Sequence, residues 1–331
     1  MGSSVPPTTT PSAAFLASFQ ARLAGRNAMD FAEFTELALY APELGYYRRP
    51  RPRVGRAPGT DFFTATSSGP LFGELVAAAC TTLLGADRAG EHLFVEVGAE
   101  QGRSVLDGVP HPFAGVRTIG IEDQLSLNGP CVVFSNELFD AQPFRRFTFQ
   151  RGRWRERGVT LSHGTLTETF IDSWSAPDFT LPSTAPEGYS LDVSPAARDL
   201  AARIAAEAWT GLFVAFDYGK SWAQIATETP QGTARAYHLH QQSNDLLLRP
   251  GEQDLTCHVC WDWISDALRL KGCRTITLES QEAFLVHHAG AFLARETAAA
   301  AQHFSPRKQA LLQLIHPGHL GFKFQVLHAR R

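Results

Sequence analysis

The segment Gly129-Pro-Cys-Val-Val-Phe-Ser-Asn-Glu-Leu-Phe-Asp-Ala-Gln-Pro143 constrains this chain most, because a short apolar run empties directly into an acidic, amide-bearing turn. Cys131 to Ser135 show no alternation, so the run predicts a strand covered on both faces, as strands of parallel sheets are. In open α/β sheets, ligands bind outside the carboxyl ends of such strands. That rule puts Asn136, Glu137 and Asp140 where chemistry would be done. A bland reading stands beside it: Asn136 caps the next helical turn, and the two acids merely favour its N-terminus.

A second run, Leu93-Phe-Val-Glu-Val-Gly-Ala-Glu-Gln-Gly102, leads into a loop with glycines at 98 and 102. A glycine loop after a strand suits a nucleotide-type ligand, but Glu100 in its centre would meet a pyrophosphate with like charge. The carboxylates of Glu96 and Glu100 suit a cationic ligand better, and S-adenosylmethionine carries both a sulfonium and an amino group. A third run, Leu212 to Phe216, ends in Asp217-Tyr218-Gly219. The three runs predict adjacent central strands whose carboxyl ends meet at one cleft.

With these segments in view, the chain resembles the MidA family of S-adenosylmethionine-dependent methyltransferases, whose mitochondrial members are protein arginine methyltransferases that assist assembly of respiratory complex I. The resemblance is carried by Phe31-Ala-Glu-Phe-Thr-Glu-Leu-Ala-Leu-Tyr-Ala-Pro-Glu-Leu-Gly-Tyr-Tyr47, Asp61-Phe-Phe-Thr64, Pro70-Leu-Phe-Gly-Glu74, the Glu96 loop, Asn136-Glu-Leu-Phe-Asp-Ala141, Pro186-Glu-Gly188, Asp217-Tyr-Gly219, Pro250-Gly-Glu-Gln-Asp-Leu-Thr256 and Gly321 to Leu327. It implies an α/β class I methyltransferase fold, Rossmann-like and mostly parallel, closed by an antiparallel last strand. Residues 1–84 would form an N-terminal helical segment and active-site loop, and 85–331 the methyltransferase domain, with insertions at about 144–192 and 222–256. The implied catalytic residues are Asn136, Glu137, Asp140, Asp217 and Tyr218. Glu96, Gly98, Glu100, Gly102, Glu122, Asp61 and Thr64 would bind the cofactor. An arginine substrate fits the acids, since a carboxylate grips a guanidinium bidentately.

The chain also departs from that family. Thr66-Ser-Ser-Gly69 stands where the family has Pro-Glu-Ile-Ser, so a carboxylate is missing there. Gly102 and Asn136 are only 34 residues apart, whereas a helix, strand, helix, strand passage needs about 45 to 50. One helix-strand unit must be absent or vestigial, and Pro110 and Pro112 stop the first helix after barely two turns from Gly102. The run Val116 to Ile121 is then either the second strand, with Glu122 or its neighbour Asp123 as the ribose acid 20 residues beyond Gly102, or the third strand with that acid gone. Glu100 adds the expectation of backbone strain should its position require positive φ. Two function classes therefore remain: a methyltransferase acting on a protein, and a catalytically inactive methyltransferase-like protein that holds a protein partner.

Composition narrows this little further. Net charge is −3 with dispersed basic residues, which argues against nucleic acid or an anionic membrane as partner, and the arginines of 48–56 read as a solvated loop. Five scattered cysteines and no apolar signal segment suit a reducing compartment, expected to be a bacterial cytoplasm ahead of a mitochondrion. Cys257-His-Val-Cys260 lacks a second ligand pair, so no metal is expected. His287-His288 reads as helix surface. Helices are predicted at about 12–25, 30–40 and 70–84, and from Ser194 as N-cap to a stop at Gly211. A hairpin turning at Arg151-Gly152 should point Arg145, Arg146, Arg153, Arg155 and Arg157 to solvent.

Overall fold

The computed structural model describes residues 11–51, 53, 55, 60–61, 65, 69–172, 177–299 and 305–331. The chain divides into two compact units, one of residues 1–62, 141–196 and 220–258 and the other of 63–140, 197–219 and 259–331.

The second unit is built on six strands: β1 (Leu93–Val97), β2 (Gly115–Ile119), β3 (Asn128–Asn136), β4 (Ala208–Asp217), β5 (Arg274–Ser280) and β6 (Gln325–Arg330). Their order is β5-β6-β4-β3-β1-β2. The four strands from β4 to β2 are mutually parallel, with Leu93 opposite both Gly115 and Cys131, and Asn136 opposite Phe216. The last strand, β6, pairs antiparallel with both β4 and β5. Side-chain alternation sorts the apolar runs onto two faces. Phe94, Val132, Phe134, Val214 and Phe216 pack under the helices α1 (Pro70–Leu84), α4 (Gln281–His288) and α6 (Pro306–Ile315). Val95, Val133, Phe213 and Ala215 pack under α2 (Pro195–Ala206) and α3 (Trp261–Leu270), with α5 (Gly290–Ala299) contributing Leu293 to the first face. This three-layer sandwich is the class I methyltransferase fold, and it explains why Cys131 to Phe134 had to be apolar throughout.

The pairing of Gly115–Ile119 with β1 decides between the two readings of that run. It lies directly beside the first strand on the side away from β3, so it is the second strand, and the missing unit is the third. The sheet stops there with Val116 and Ile121 exposed. No α-helix links β1 to β2: a helical turn at Glu100–Gly102 and two short turns cover the distance.

Some boundaries move. Gly211 does not end α2, which stops at Ala206; it lies inside β4 with φ +120°, where a Cβ would stand 2.4 Å from the Cys131 carbonyl oxygen. Only glycine lets the two central strands approach so closely at that point. The final strand starts at Gln325, three residues later than Phe322, where expected.

The first unit has its own core of Phe15, Phe19, Phe31, Phe34, Tyr46 and Phe144, covered by helices Ala13–Leu23 and Phe31–Tyr40. Its hairpin of Arg145–Gln150 and Arg153–Ser162 turns where expected, but the arginines do not all face water. Arg146 is buried between Asp192 (2.9 Å) and Glu168 (2.8 Å), and Arg145 grips Glu156 through two bonds of 2.6 and 2.7 Å. An isolated hairpin has two solvent faces, and a five-stranded sheet under a helix has one.

Candidate active site

The order of the strands creates a switch point. From β1 the chain proceeds to β2 on one side, then crosses to β3 on the other, so the carboxyl ends of β1 and β3 open a crevice between them. Gly98 follows β1 with φ +83° and, unlike the strand before it and Ala99 after it, is exposed. Its N–H donates to the Ile119 carbonyl oxygen at 2.8 Å, tying the loop to β2. A Cβ at this position would come within 2.7 Å of Leu138 Cδ1; the leucine could swing away, but the left-handed backbone would remain strained. Gly102 also has positive φ (+70°), and open space lies around it.

Glu96, at the end of β1, is buried. Its Oε2 accepts from Ser104 Oγ and from the Val105 N–H, both at 2.8 Å, so it anchors the segment that replaces the expected helix. Burial pushes its carboxyl up to about 7 despite those donors. Glu100 occupies a helical turn without positive φ, so the expected strain is absent: the left-handed positions fall on Gly98 and Gly102 on either side. Glu122 is exposed in the turn after β2, whereas Asp123 closes that turn by accepting from the Gly120 N–H at 2.7 Å. Of the two ribose candidates, Asp123 is thus committed to the backbone.

Across the crevice, the acidic turn is assembled around Asp217. This carboxylate is fully buried at the end of β4; its Oδ2 accepts from the N–H groups of Phe139 (2.9 Å) and Asp140 (3.3 Å), and its Oδ1 from that of Tyr218 (2.9 Å). Burial, reinforced by the neighbouring Asp140 and Glu137 carboxylates, holds its proton affinity well above the ordinary carboxylate range. Glu137 adopts φ +51°, a conformation non-glycine residues avoid, and its N–H donates to the Phe216 carbonyl oxygen at 2.9 Å. Such strain persists where surrounding bonds overdetermine it and concentrates at functional sites. Glu137 is half-buried and accepts from Asn136 Nδ2 at 3.2 Å. Asn136 Oδ1 and Ser135 Oγ are buried without a hydrogen-bond partner among the described residues. A buried unpaired acceptor costs about 1 to 3 kcal/mol unless a ligand satisfies it. Tyr218 is half-buried and packs edge-on against Phe324.

Glu96, Gly98, Glu100, Gly102, Glu122, Asn136, Glu137, Asp140, Asp217 and Tyr218 thus all fall in one compact unit at the carboxyl ends of β1 to β4. Asp61 lies in the other unit, where it is buried and accepts from Tyr46 Oη (2.7 Å), Arg51 Nη2 (2.6 Å) and the Leu239 N–H (2.9 Å). Thr64 lies outside the described residues. The sequence reading missed Ser104, Val105 and Leu138; a small polar residue two positions beyond the second loop glycine was the available signal for the first.

The residues present fit S-adenosylmethionine. An exposed left-handed glycine lets backbone approach a ligand at the switch point, an acid follows the second strand, and Asn136 offers a buried acceptor for a cationic N–H. Residues 114–278 match a family model described as "Putative S-adenosyl-L-methionine-dependent methyltransferase". The fold is similar to that of a Burkholderia thailandensis superfamily member solved with S-adenosyl-homocysteine bound: 26% identity over 96% of this chain and 92% of that one, TM-score 0.83. A second Burkholderia thailandensis structure of the same superfamily, solved in its native state, gives 26% identity over 96% and 91%, with TM-score 0.78. No curated protein matches the chain. Fold and family model agree, and on both counts the chain is an S-adenosyl-L-methionine-dependent methyltransferase.

Proposed function

We propose that this methyltransferase acts on a protein substrate and methylates arginine. The observation that carries the reading is the strained Glu137 turn, which presents a half-buried carboxylate beside the exposed Gly98 loop's crevice while Asp217 spends its oxygens on holding that turn. The bound cofactor would supply a methyl group on a sulfonium: a guanidinium nitrogen would form the new C–N bond in line as the S–C bond breaks, S-adenosylhomocysteine would leave as a neutral thioether, and the proton lost from that nitrogen would pass to solvent or a neighbouring carboxylate. The chain's contribution is therefore chiefly placement, an effect worth up to about 7 to 11 kcal/mol. Gly98 and Gly102 admit the methionine part, Glu122 takes the ribose hydroxyls, and Asn136 Oδ1 accepts from a cationic nitrogen. Glu137 grips the guanidinium and keeps one nitrogen aimed at the methyl carbon, because a planar guanidinium fork matches a carboxylate bidentately and a point-charge ammonium does not. Asp140 supports the negative potential of the turn.

Resemblance to the MidA family supports the arginine assignment. The half-buried acid accounts for it chemically. The inactive partner-binding alternative has no support in the family match, which is to methyltransferases. The test is incubation of the purified chain with isotopically labelled S-adenosylmethionine and protein substrates containing arginine, lysine and glutamine, followed by hydrolysis and separation of methylated amino acids. Label in methylarginine is expected. Label confined to another residue or to small molecules would overturn the assignment.

A further inference from the structure

Away from the crevice, at the antiparallel edge of the sheet, one carboxylate is surrounded by three imidazoles. Glu279, next to last in β5, has Oε1 at 2.5 Å from His287 Nδ1 and Oε2 at 2.9 Å from His288 Nε2, both in the last turn of α4. From β6, His328 Nε2 reaches the same Oε2 at 3.1 Å. The ring of His288 meets that of His328 edge-on at 5.1 Å, and Phe284 flanks both. The donor atoms of Glu279, His287 and His288 all lie within 4.8 Å of one another.

We propose that Glu279, His287 and His288 form a site for a divalent first-row transition ion of the zinc type, with water completing the coordination and His328 holding the carboxylate in place. Two imidazoles and one carboxylate are the donor set of many three-ligand zinc sites, and imidazole nitrogen selects such ions over magnesium or calcium. Ligands on one tetrahedral zinc stand roughly 3.3 Å apart, so the present contacts must open by a few tenths of an ångström to about one. His287, 60% exposed, has room to do so. The buried His328, by donating from Nε2, fixes the carboxylate as hydrogen-bonded partners of metal ligands commonly do. A cation bound there would staple the end of β5 to the last turn of α4. That helix packs Phe284 edge-on against Phe216 at 5.3 Å, the residue whose carbonyl holds the Glu137 turn.

The test uses the full chain, stripped with chelator and titrated with zinc chloride by calorimetry and thermal shift, with magnesium chloride as the control. One zinc ion per chain should bind at micromolar or tighter concentration and raise the melting temperature, while magnesium does neither. His287→Ala, at an exposed position that leaves the fold intact, and the isosteric Glu279→Gln should each weaken zinc binding at least ten-fold. No saturable binding to the wild type, or undiminished affinity in either variant, would overturn the site; the latter outcome means adventitious binding to the other histidines or the cysteines.

Discussion

The two sides of the crevice are built differently. On the proposed acceptor side, β3 and β4 run nine and ten residues, are buried through their centres, and carry a turn tied down by Asp217 and the Phe216 carbonyl. On the proposed adenosine side, β2 is a five-residue edge strand with Val116 and Arg117 exposed, and a few short turns replace the helix that should precede it. Geometry on the proposed acceptor side depends on buried polar bonds. The adenosine side keeps one fixed element, the loop clamped by Glu96 to Ser104 and Val105 and by the Gly98 N–H to Ile119. The comparison teaches that a methyltransferase sheet can lack its outer strand while β1 still has neighbours on both sides.

If the acceptor side does the positioning, the largest effect belongs to Glu137. Glu137→Gln should cut the methyl-transfer rate by about 100-fold or more, about 3 kcal/mol in the barrier, with cofactor affinity within a few-fold of wild type. A large loss of cofactor binding with the fold intact would place Glu137 on the adenosine side instead. Gly98→Ala probes the clamped loop: strained φ and the approach to Leu138 should weaken S-adenosylmethionine at least ten-fold by calorimetry and cost about 1 kcal/mol of stability. Unchanged affinity would mean that the ligand does not use this backbone.

Glu96 gives a smaller effect with a definite pH signature. Its folded-state proton affinity is raised from 4.5 to about 7, so its contribution to stability is fully present below about pH 4.5 and lost as pH rises through 7. The fold then bears the cost of a buried charge, an effect on the order of 1 to 3 kcal/mol. Glu96→Gln should flatten the dependence of denaturation free energy on pH between 5 and 8; an unchanged slope would show that Glu96 ionises freely. The smallest effect is expected at Glu100. Because its backbone is helical and unstrained, Glu100→Gly should relieve nothing and cost about 0.5 to 1 kcal/mol, visible as a melting temperature a few degrees lower.

Much of this was legible in advance. The helix Pro70–Leu84 sits where periodicity puts it, and the parallel strands lie under the three apolar runs. The shortage of residues between Gly102 and Asn136 announced a missing unit. What escaped were features fixed by neighbours distant in the chain: Arg146 enclosed by Asp192 and Glu168, and Asp61 committed to Tyr46, Arg51 and Leu239.

By itself, the sequence determined the elements that follow local rules: apolar runs that must be buried, glycines where the backbone turns left-handed, and a chain too short for a seventh strand. Only the tertiary structure decided which strand was lost, because Val116 to Ile121 has no preference for one neighbour until it is paired with β1. It alone also separated the carboxylates into roles. Glu137, Asp140 and Asp217 are equivalent acids in the sequence, and burial together with three backbone amides makes Asp217 the anchor and leaves Glu137 half-buried beside it. The physical reason is that an acid's function follows from its solvation and its partners, and both are set by residues far from it along the chain.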